Sequence, residues 1–293
     1  MPLTARDLLQ VSRPISWLNT IFACAAGAFV AGSSLKERRN LLAMLYFALP
    51  YNLALYGIND ICDYPSDKLN PRKNSVEGGL LPPDTHRAML GWIAATNAPL
   101  LPPLLAAGDK RANAVLGTLL ATTVAYSAPP LRLKEVPGVD SFISATHYVT
   151  PFVYGLALNR AQRYPRQELA AFIVWCMASQ SFGAIQDVEF DRAGGFDSIA
   201  TALGARRTAQ IATALYLLAA LLGLTGRSAA RGKHLAGSLA VLPYAANTAL
   251  FLRDPRPERA NPHWRTFIKL NVLSGALYTI IFIWGRTRYK PFG

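Results

Sequence analysis

Apolar residues run in long blocks along this chain instead of alternating or recurring singly. The blocks at 15–33, 41–58, 88–107, 113–128, 139–158, 169–185, 208–226, 234–252 and 267–285 suit a hydrocarbon core roughly 30 Å thick, crossed at about 1.5 Å of helix rise per residue. A lipid-embedded backbone must satisfy its own polar groups, so blocks of this length predict an all-α, multi-pass membrane bundle of about nine transmembrane helices. Alanine, glycine, serine and threonine recur within them, as expected where helices pack through small residues without a hydrophobic drive from the solvent. Ahead of the first block, Thr4 and Asp7 have capping-box spacing. They predict either a short surface helix carrying Leu8, Leu9 and Val11 or an extension of the first span. The first block is of spanning length and lacks a short apolar region with an A-x-A-like exit, so it is expected to remain as a helix.

Composition agrees with this pattern. Of 293 residues, 52% are hydrophobic and 16% charged, a balance unlike that of a soluble α/β enzyme. Cys24, Cys62 and Cys176 form no C-x-x-C pair and are odd in number, which argues against a disulfide framework or a zinc site. The four histidines are too scattered for metal-ligand spacing. A net charge of +13 first suggests nucleic acid, yet Lys and Arg are spread over almost every loop and build no basic domain. Membrane lipid headgroups and a phosphorylated substrate account for it better, with no nucleic acid. The cations divide almost evenly between the two faces, so the positive-inside rule does not set the orientation.

The two longest loops, 59–87 after the second span and 186–207 after the sixth, each open with an acidic motif. Four spans separate them, so both motifs are expected on one membrane face, in an arrangement of two parallel four-helix halves plus a ninth helix. No other repeat stands out, and residues 1–293 read as a single integral-membrane domain. In the first motif Asp60, Asp63 and Asp67 fall at i, i+3 and i+7, with Asn59 beside them and Pro65 opposing full continuation of the helix. In the second, Asp187 and Asp191 are four apart, with Gln186 matching Asn59. Clustered carboxylates repel one another and lose hydration near an apolar bundle, so such clusters persist when a cation neutralises them. Hard oxygen ligands select Mg²⁺, which bridges a few carboxylates to substrate phosphates. The plainer alternative is solvated carboxylates capping helix ends.

Cations suited to a diphosphate leaving group follow: Arg72 and Lys73 after the first motif, and Arg132 and Lys134 in Tyr126-Ser127-Ala128-Pro129-Pro130-Leu131-Arg132-Leu133-Lys134 after the fourth span. Arg13, before Pro14 on the same expected face, would touch either diphosphate or a lipid headgroup. His147 lies within the fifth span, where an ionisable group is functional by default, though a hydrogen bond between helices would satisfy it equally.

Together these residues resemble the UbiA superfamily of membrane prenyltransferases, and the resemblance covers nearly the whole chain: Asn59-Asp60-x-x-Asp63-x-x-x-Asp67, the Tyr126 to Lys134 segment, Asp187-x-x-x-Asp191 and the nine spans. The resemblance implies that Asp60, Asp63, Asp67, Asp187 and Asp191 bind Mg²⁺ around a prenyl diphosphate. It also implies phosphate contacts from Arg72 and Lys134 and an active site facing the cytoplasm from a bacterial cell membrane. Tyr126 resembles the family's tyrosine near the reacting carbon, where a π-face would steady an allylic cation; an interfacial anchor is the alternative. Many members continue with N-x-P-x-R-P, whereas this chain reads Asn70-Pro71-Arg72-Lys73-Asn74-Ser75-Val76-Glu77-Gly78-Gly79 and lacks the second Arg-Pro. That variant loop is similar to those of the lycopene elongases.

The expected activity is therefore Mg²⁺-dependent transfer of a dimethylallyl (C5) group from dimethylallyl diphosphate to an apolar carotenoid acceptor, lycopene. The catalytic group expected is Asp60, Asp63, Asp187, Asp191 and Tyr126, with Asn59, Arg72, Lys73, Lys134 and Arg13 on the diphosphate. Trp17, Tyr51, Tyr148, Phe152 and Phe182 either line an acceptor path or pack the core. One rival is prenylation of an aromatic or quinone-precursor ring, which needs contacts for a polar headgroup. Another is a cation transporter, whose charges belong near the midplane rather than in two loops at one face.

Overall fold

The computed structural model describes residues 3–70, 79–225 and 231–286, and among these it is helical throughout its regular structure. The helices cluster into two compact units: residues 1–133 with 146–163, and residues 134–145 with 164–291.

In the first unit, α1 (Ala5–Ser12) begins with the expected capping box: the Asp7 carboxylate accepts the Thr4 N–H at 2.8 Å and the Thr4 hydroxyl accepts the Asp7 N–H at 3.3 Å. Arg13 then adopts a left-handed conformation (φ 51°, ψ 76°) and Pro14 opens α2 (Pro14–Val30). The residue before a proline is pushed out of the α region, so α1 is a separate element and not an extension of the first span. The second expected span is two helices, α3 (Arg38–Phe47) and α4 (Leu49–Cys62), broken at Ala48 (φ −75°, ψ −105°) ahead of Pro50. The break deprives carbonyls of their helical donors. Asn52 Nδ2 replaces them, donating to Phe47 O at 2.8 Å and Ala48 O at 2.7 Å, and Thr20 Oγ1 adds a bond to Phe47 O at 2.7 Å.

A short α5 (Tyr64–Asp67) follows, and the third span is again divided, into α6 (His86–Asn97) and α7 (Leu101–Ala107), around Pro99, Pro102 and Pro103. The Asp109 carboxylate caps α8 (Lys110–Ser127) by accepting from the N–H groups of Arg111 and Ala112. Next comes α9 (Val139–Leu158), whose residues from Thr146 onward belong to this unit. There α2 and α9 touch backbone to backbone: a Cβ on Gly27 would collide with Phe152 O, and one on Gly155 with Cys24 O. Tyr46, Phe47, Tyr51 and Tyr154 fill the adjoining core, with Phe47 edge-on to Tyr51 (5.4 Å) and Tyr154 (5.8 Å).

The second unit contains α10 (Arg166–Ala184), α11 (Val188–Gly194), α12 (Ile199–Leu224), α13 (Arg231–Leu239), α14 (Leu242–Phe251) and α15 (Ala260–Arg286). The stretch 186–207, expected as a loop, is mostly helical. Ile185, Val188, Ile199 and Ala200 are buried in one cluster with Phe182, Ala209 and Phe251, and Ser198 and Thr201 form a reciprocal cap on α12. Hydropathy missed this start because Gly204 (φ 76°, ψ 162°) kinks α12 before its long apolar run. Asp140, 1% exposed, accepts the N–H groups of Gly138 (2.9 Å), Ser141 (2.6 Å) and Ile199 (2.7 Å), which ties the beginnings of α9 and α12 together.

The expected spans fall mostly on helix, the second, third and eighth being divided by breaks. Four helical stretches, Arg38–Cys62, Pro83–Ala107, Arg166–Gly194 and Ile199–Leu224, are long and apolar enough to cross a membrane. Cys24 and Cys176 are buried free thiols on helices, as read from the sequence.

Candidate active site

The first acidic motif sits where α4 ends. Asn59 and Asp60 are on its last turn, and Asp63 terminates it, donating its N–H to Asn59 O at 2.8 Å. Asp67 closes α5. The helix therefore stops at the second carboxylate, and Pro65 sits in the first turn of α5 instead of continuing α4.

Asp60 is the most enclosed of the three, at 1% exposure, against 7% for Asp67 and partial exposure for Asp63. A carboxylate so placed needs a counter-charge. Arg13 Nη2 meets Asp60 Oδ1 at 2.8 Å, while the backbone N–H of Gly79 reaches Oδ2 at 3.3 Å. The Arg13 guanidinium also lies over the ring of Tyr56, 4.2 Å from its centroid. Burial opposes the Arg13 charge, but Asp60, with smaller help from Tyr56, Asp67 and Tyr148, outweighs it and holds the guanidinium above its ordinary value. The Tyr56 hydroxyl bonds the hydroxyls of Ser16 (3.0 Å) and Tyr148 (3.0 Å). Arg13, expected at phosphate or headgroup, is thus built into the carboxylate cluster itself.

Asn59 joins the motif to the end of α8. Its Nδ2 donates to Asp63 Oδ2 at 2.9 Å and to Ser127 Oγ at 3.1 Å. With both amide hydrogens so used, Oδ1 is the atom of this side chain able to accept a hydrogen bond or ligate a cation. Ser127 follows Tyr126 directly, so the first motif and the tyrosine segment are brought together. The half-buried ring of Tyr126 stands edge-to-face with His147, centroids 5.0 Å apart. Ser127 was quoted in the sequence pattern without a role; a hydroxyl on the last turn of a helix beside a candidate tyrosine is the signal that identifies it. Arg132 follows in the left-handed region (φ 40°). Arg72 and Lys73 lie outside the described residues.

In the second unit, α10 ends in a 3-10 turn, Ile185–Asp187, that leads straight into α11, which carries Asp191. Asp187 and Asp191 are both partly exposed. Gln186 Oε1 accepts from Asn261 Nδ2 at 2.8 Å, on the first turn of α15. Gln186 therefore matches Asn59 in type but not in use, because its amide oxygen is already engaged by Asn261, a residue the sequence reading missed. Lys134 lies in a 3-10 turn, Leu133–Glu135, and is partly exposed.

The donor set fits a hard cation: aspartate carboxylates and an amide oxygen, with neither thiol nor imidazole among them. Among the described residues no three His, Cys, Asp or Glu side chains converge as a preformed ligand set. Mg²⁺ suits such a site, since it keeps several waters and takes substrate phosphates beside one or two carboxylates. Of the aromatic residues, Tyr51 and Phe182 are wholly buried in core clusters. Trp17 donates its indole N–H to Ser12 O at 3.0 Å.

Known proteins share this arrangement of sequence and fold. The chain is 39% identical over 282 residues to a lycopene elongase/hydratase of Corynebacterium glutamicum, covering 95% of this chain and 96% of that protein. It is 40% identical over 281 residues to the C(50) beta-cyclic carotenoids biosynthesis protein LbtBC of Dietzia sp. (strain CQ4), covering 94% of this chain but only 64% of that longer relative. Its fold matches that of a UbiA homolog from Archaeoglobus fulgidus bound to DMAPP and Mg²⁺, with a TM-score of 0.69 at 19% identity, over 92% of this chain and 99% of that one. A model of the UbiA prenyltransferase family matches residues 20–273, and the chain belongs to that family.

Proposed function

We propose that this integral membrane protein transfers a dimethylallyl group from dimethylallyl diphosphate to lycopene, with Mg²⁺ as cofactor, acting as one domain. The observation that carries the donor chemistry is the continuous contact from Arg13 through Asp60, and from Asp63 through Asn59 and Ser127, to the segment bearing Tyr126. The acceptor rests on similarity along nearly the whole chain to relatives named for lycopene elongation and C(50) carotenoids.

When bound, Mg²⁺ would neutralise the diphosphate and make it a better leaving group. Asp60, Asp63 and Asp67 would hold it at the first motif, and the family resemblance gives Asp187 and Asp191 of the second motif the same role. Asn59 orients Asp63 through its amide hydrogen bond. Lys134, Arg72 and Lys73 bind the negative charge that grows as the allylic C–O bond breaks. Arg13 fixes Asp60 and borders the same charge. Tyr126 presents its π-face to the allylic cation, a role supported by the family resemblance. A terminal double bond of the acceptor then attacks that cation, forming the new C–C bond and leaving a tertiary cation on the acceptor, which ends by proton loss or by addition of water. The site faces the cytoplasm from the bacterial cell membrane, where soluble dimethylallyl diphosphate is available, and lycopene enters from the lipid.

The test is incubation of membranes containing the protein with labelled dimethylallyl diphosphate and either lycopene or an aromatic acid. Label is expected in a carotenoid heavier by one or two C5 units. Label only in a prenylated aromatic product overturns the acceptor, and absence from both overturns the reaction.

A further inference from the structure

One ionisable group close to Tyr126 has no part in the donor chemistry above. His147, on α9, is 2% exposed. Its Nδ1 lies 3.3 Å from the Tyr51 hydroxyl of α4. The same hydroxyl lies 3.5 Å from the His147 carbonyl oxygen and also bonds Thr123. In the tautomer protonated on Nδ1, the Tyr51 oxygen accepts from Nδ1–H and Nε2 keeps its lone pair, and this is the tautomer the assignment below requires. Nε2 is buried and has no hydrogen-bond partner among the described residues. A buried imidazole nitrogen without a partner is costly unless something binds it during function. Packing alone does not explain the choice of histidine, because an apolar ring of similar size would fill the same contact with Tyr126 without that cost.

We infer that His147 is the proton acceptor that ends the reaction, an assignment that rests on the carotenoid-elongation reading. The balance is simple. The donor C–O bond breaks with its electron pair leaving on diphosphate, and the acceptor double bond supplies the pair for the new C–C bond. The resulting tertiary cation is discharged in one of two ways. An adjacent C–H bond breaks and its pair closes a double bond, or water adds through oxygen and sheds a proton. Either route releases one proton, and Nε2 of His147 takes it. The edge-to-face contact with Tyr126 at 5.0 Å puts this base beside the ring that steadies the cation. Tyr51 is a positioning residue in this scheme, since it holds the tautomer that leaves Nε2 basic.

The experiment compares wild type, His147→Gln, His147→Phe and Tyr51→Phe in membranes supplied with labelled dimethylallyl diphosphate, Mg²⁺ and lycopene. Kinetics are measured alongside the rise in melting temperature on adding Mg²⁺ and dimethylallyl diphosphate. General bases contribute about 100-fold or more, so both His147 variants are expected to lose about 100-fold in kcat. KM for the donor should stay within about twofold and the thermal shift should be retained, because donor binding does not use this residue. Tyr51→Phe is expected to lose several-fold in kcat, with KM again unchanged. The assignment is overturned if both His147 variants keep kcat within about twofold of wild type. It is also overturned if the Gln variant loses the thermal shift and raises KM together with the fall in kcat, which marks a packing role. Should both His147 variants fail to fold, an unaltered kcat in Tyr51→Phe overturns it. Wild type that transfers no label to lycopene defeats the elongation reading itself, whereas active wild type with unaffected variants defeats the inference alone.

Discussion

Asp60 retains its charge in a place that water scarcely reaches because Arg13 and the Gly79 N–H occupy its two oxygens. Removing one partner of a buried ion pair leaves the other uncompensated and costs about 3 kcal/mol or more. Arg13→Ala is therefore expected to lower the melting temperature of the purified protein. If Asp60 is a metal ligand, Mg²⁺ can supply part of the lost positive charge, and the Mg²⁺-induced rise in melting temperature should be larger in Arg13→Ala than in wild type. An equal or smaller rise removes Asp60 from the metal site. Asp63→Asn keeps the shape but removes the ligand's negative charge, and a fall of about 100-fold or more in C5 transfer is expected. The spacing of Asp60, Asp63 and Asp67, and separately of Asp187 and Asp191, is written locally and was legible in the sequence. The Arg13–Asp60 pair, the Asn59–Ser127 bond and the Gln186–Asn261 bond were not, because they join residues 47, 68 and 75 positions apart. Local pattern holds no record of such contacts, though Arg13 carried a partial signal in its place before Pro14.

Helix pairing depends on similarly small features. At the crossing of α2 with α9, Gly27 and Gly155 allow backbone to meet backbone, and no rotamer change can make room for a methyl group there. Gly27→Ala and Gly155→Ala are each expected to cost about 2–3 kcal/mol, as overpacking of a tight contact does. Gly91, on α6, has nothing within 4 Å of its added Cβ. Gly91→Ala should thus be neutral or stabilising by up to about 1 kcal/mol through helix propensity alone. Thermal unfolding in one detergent compares the three; equal losses in all of them would show that the crossing is not tight. The same physics explains which elements could be read in advance. Block length marked the helical stretches, and the Thr4–Asp7 cap pointed to α1 as one of two readings. The breaks at Ala48 and around Pro99 were less legible, because tolerance of a proline depends on its surroundings, as where Asn52 reaches the carbonyls freed at Ala48. Likewise, 186–207 read as a loop because its polar residues hide the few apolar ones, Ile185, Val188 and Ile199, that bury it.

For the molecule as a whole, a charge of +13 on a chain that is 52% hydrophobic draws it toward anionic membranes and anionic substrates alike. On the proposed reading, that excess does not replace Mg²⁺. The cations are distributed over the loops, whereas a diphosphate must be neutralised where its leaving oxygen departs, and the groups gathered at the first motif are themselves mostly anionic. On the proposed reading, an apo site of this composition would repel a free diphosphate and would admit it with a divalent ion. Chelation by EDTA is accordingly expected to abolish C5 transfer without unfolding the protein, since Arg13 already compensates the most buried carboxylate. Restoration should discriminate between ions. Mg²⁺ holds octahedral oxygen ligands at about 2.0–2.1 Å, whereas Ca²⁺ takes six to eight at about 2.3–2.6 Å. A site that must grip a leaving oxygen closely should therefore recover with Mg²⁺ and remain nearly inactive with Ca²⁺. The measurement is labelled dimethylallyl transfer after dialysis against EDTA and addition of each ion in turn. Full activity in EDTA would mean that the loop cations alone discharge the leaving group, and the carboxylate motifs would then revert to caps on helix ends.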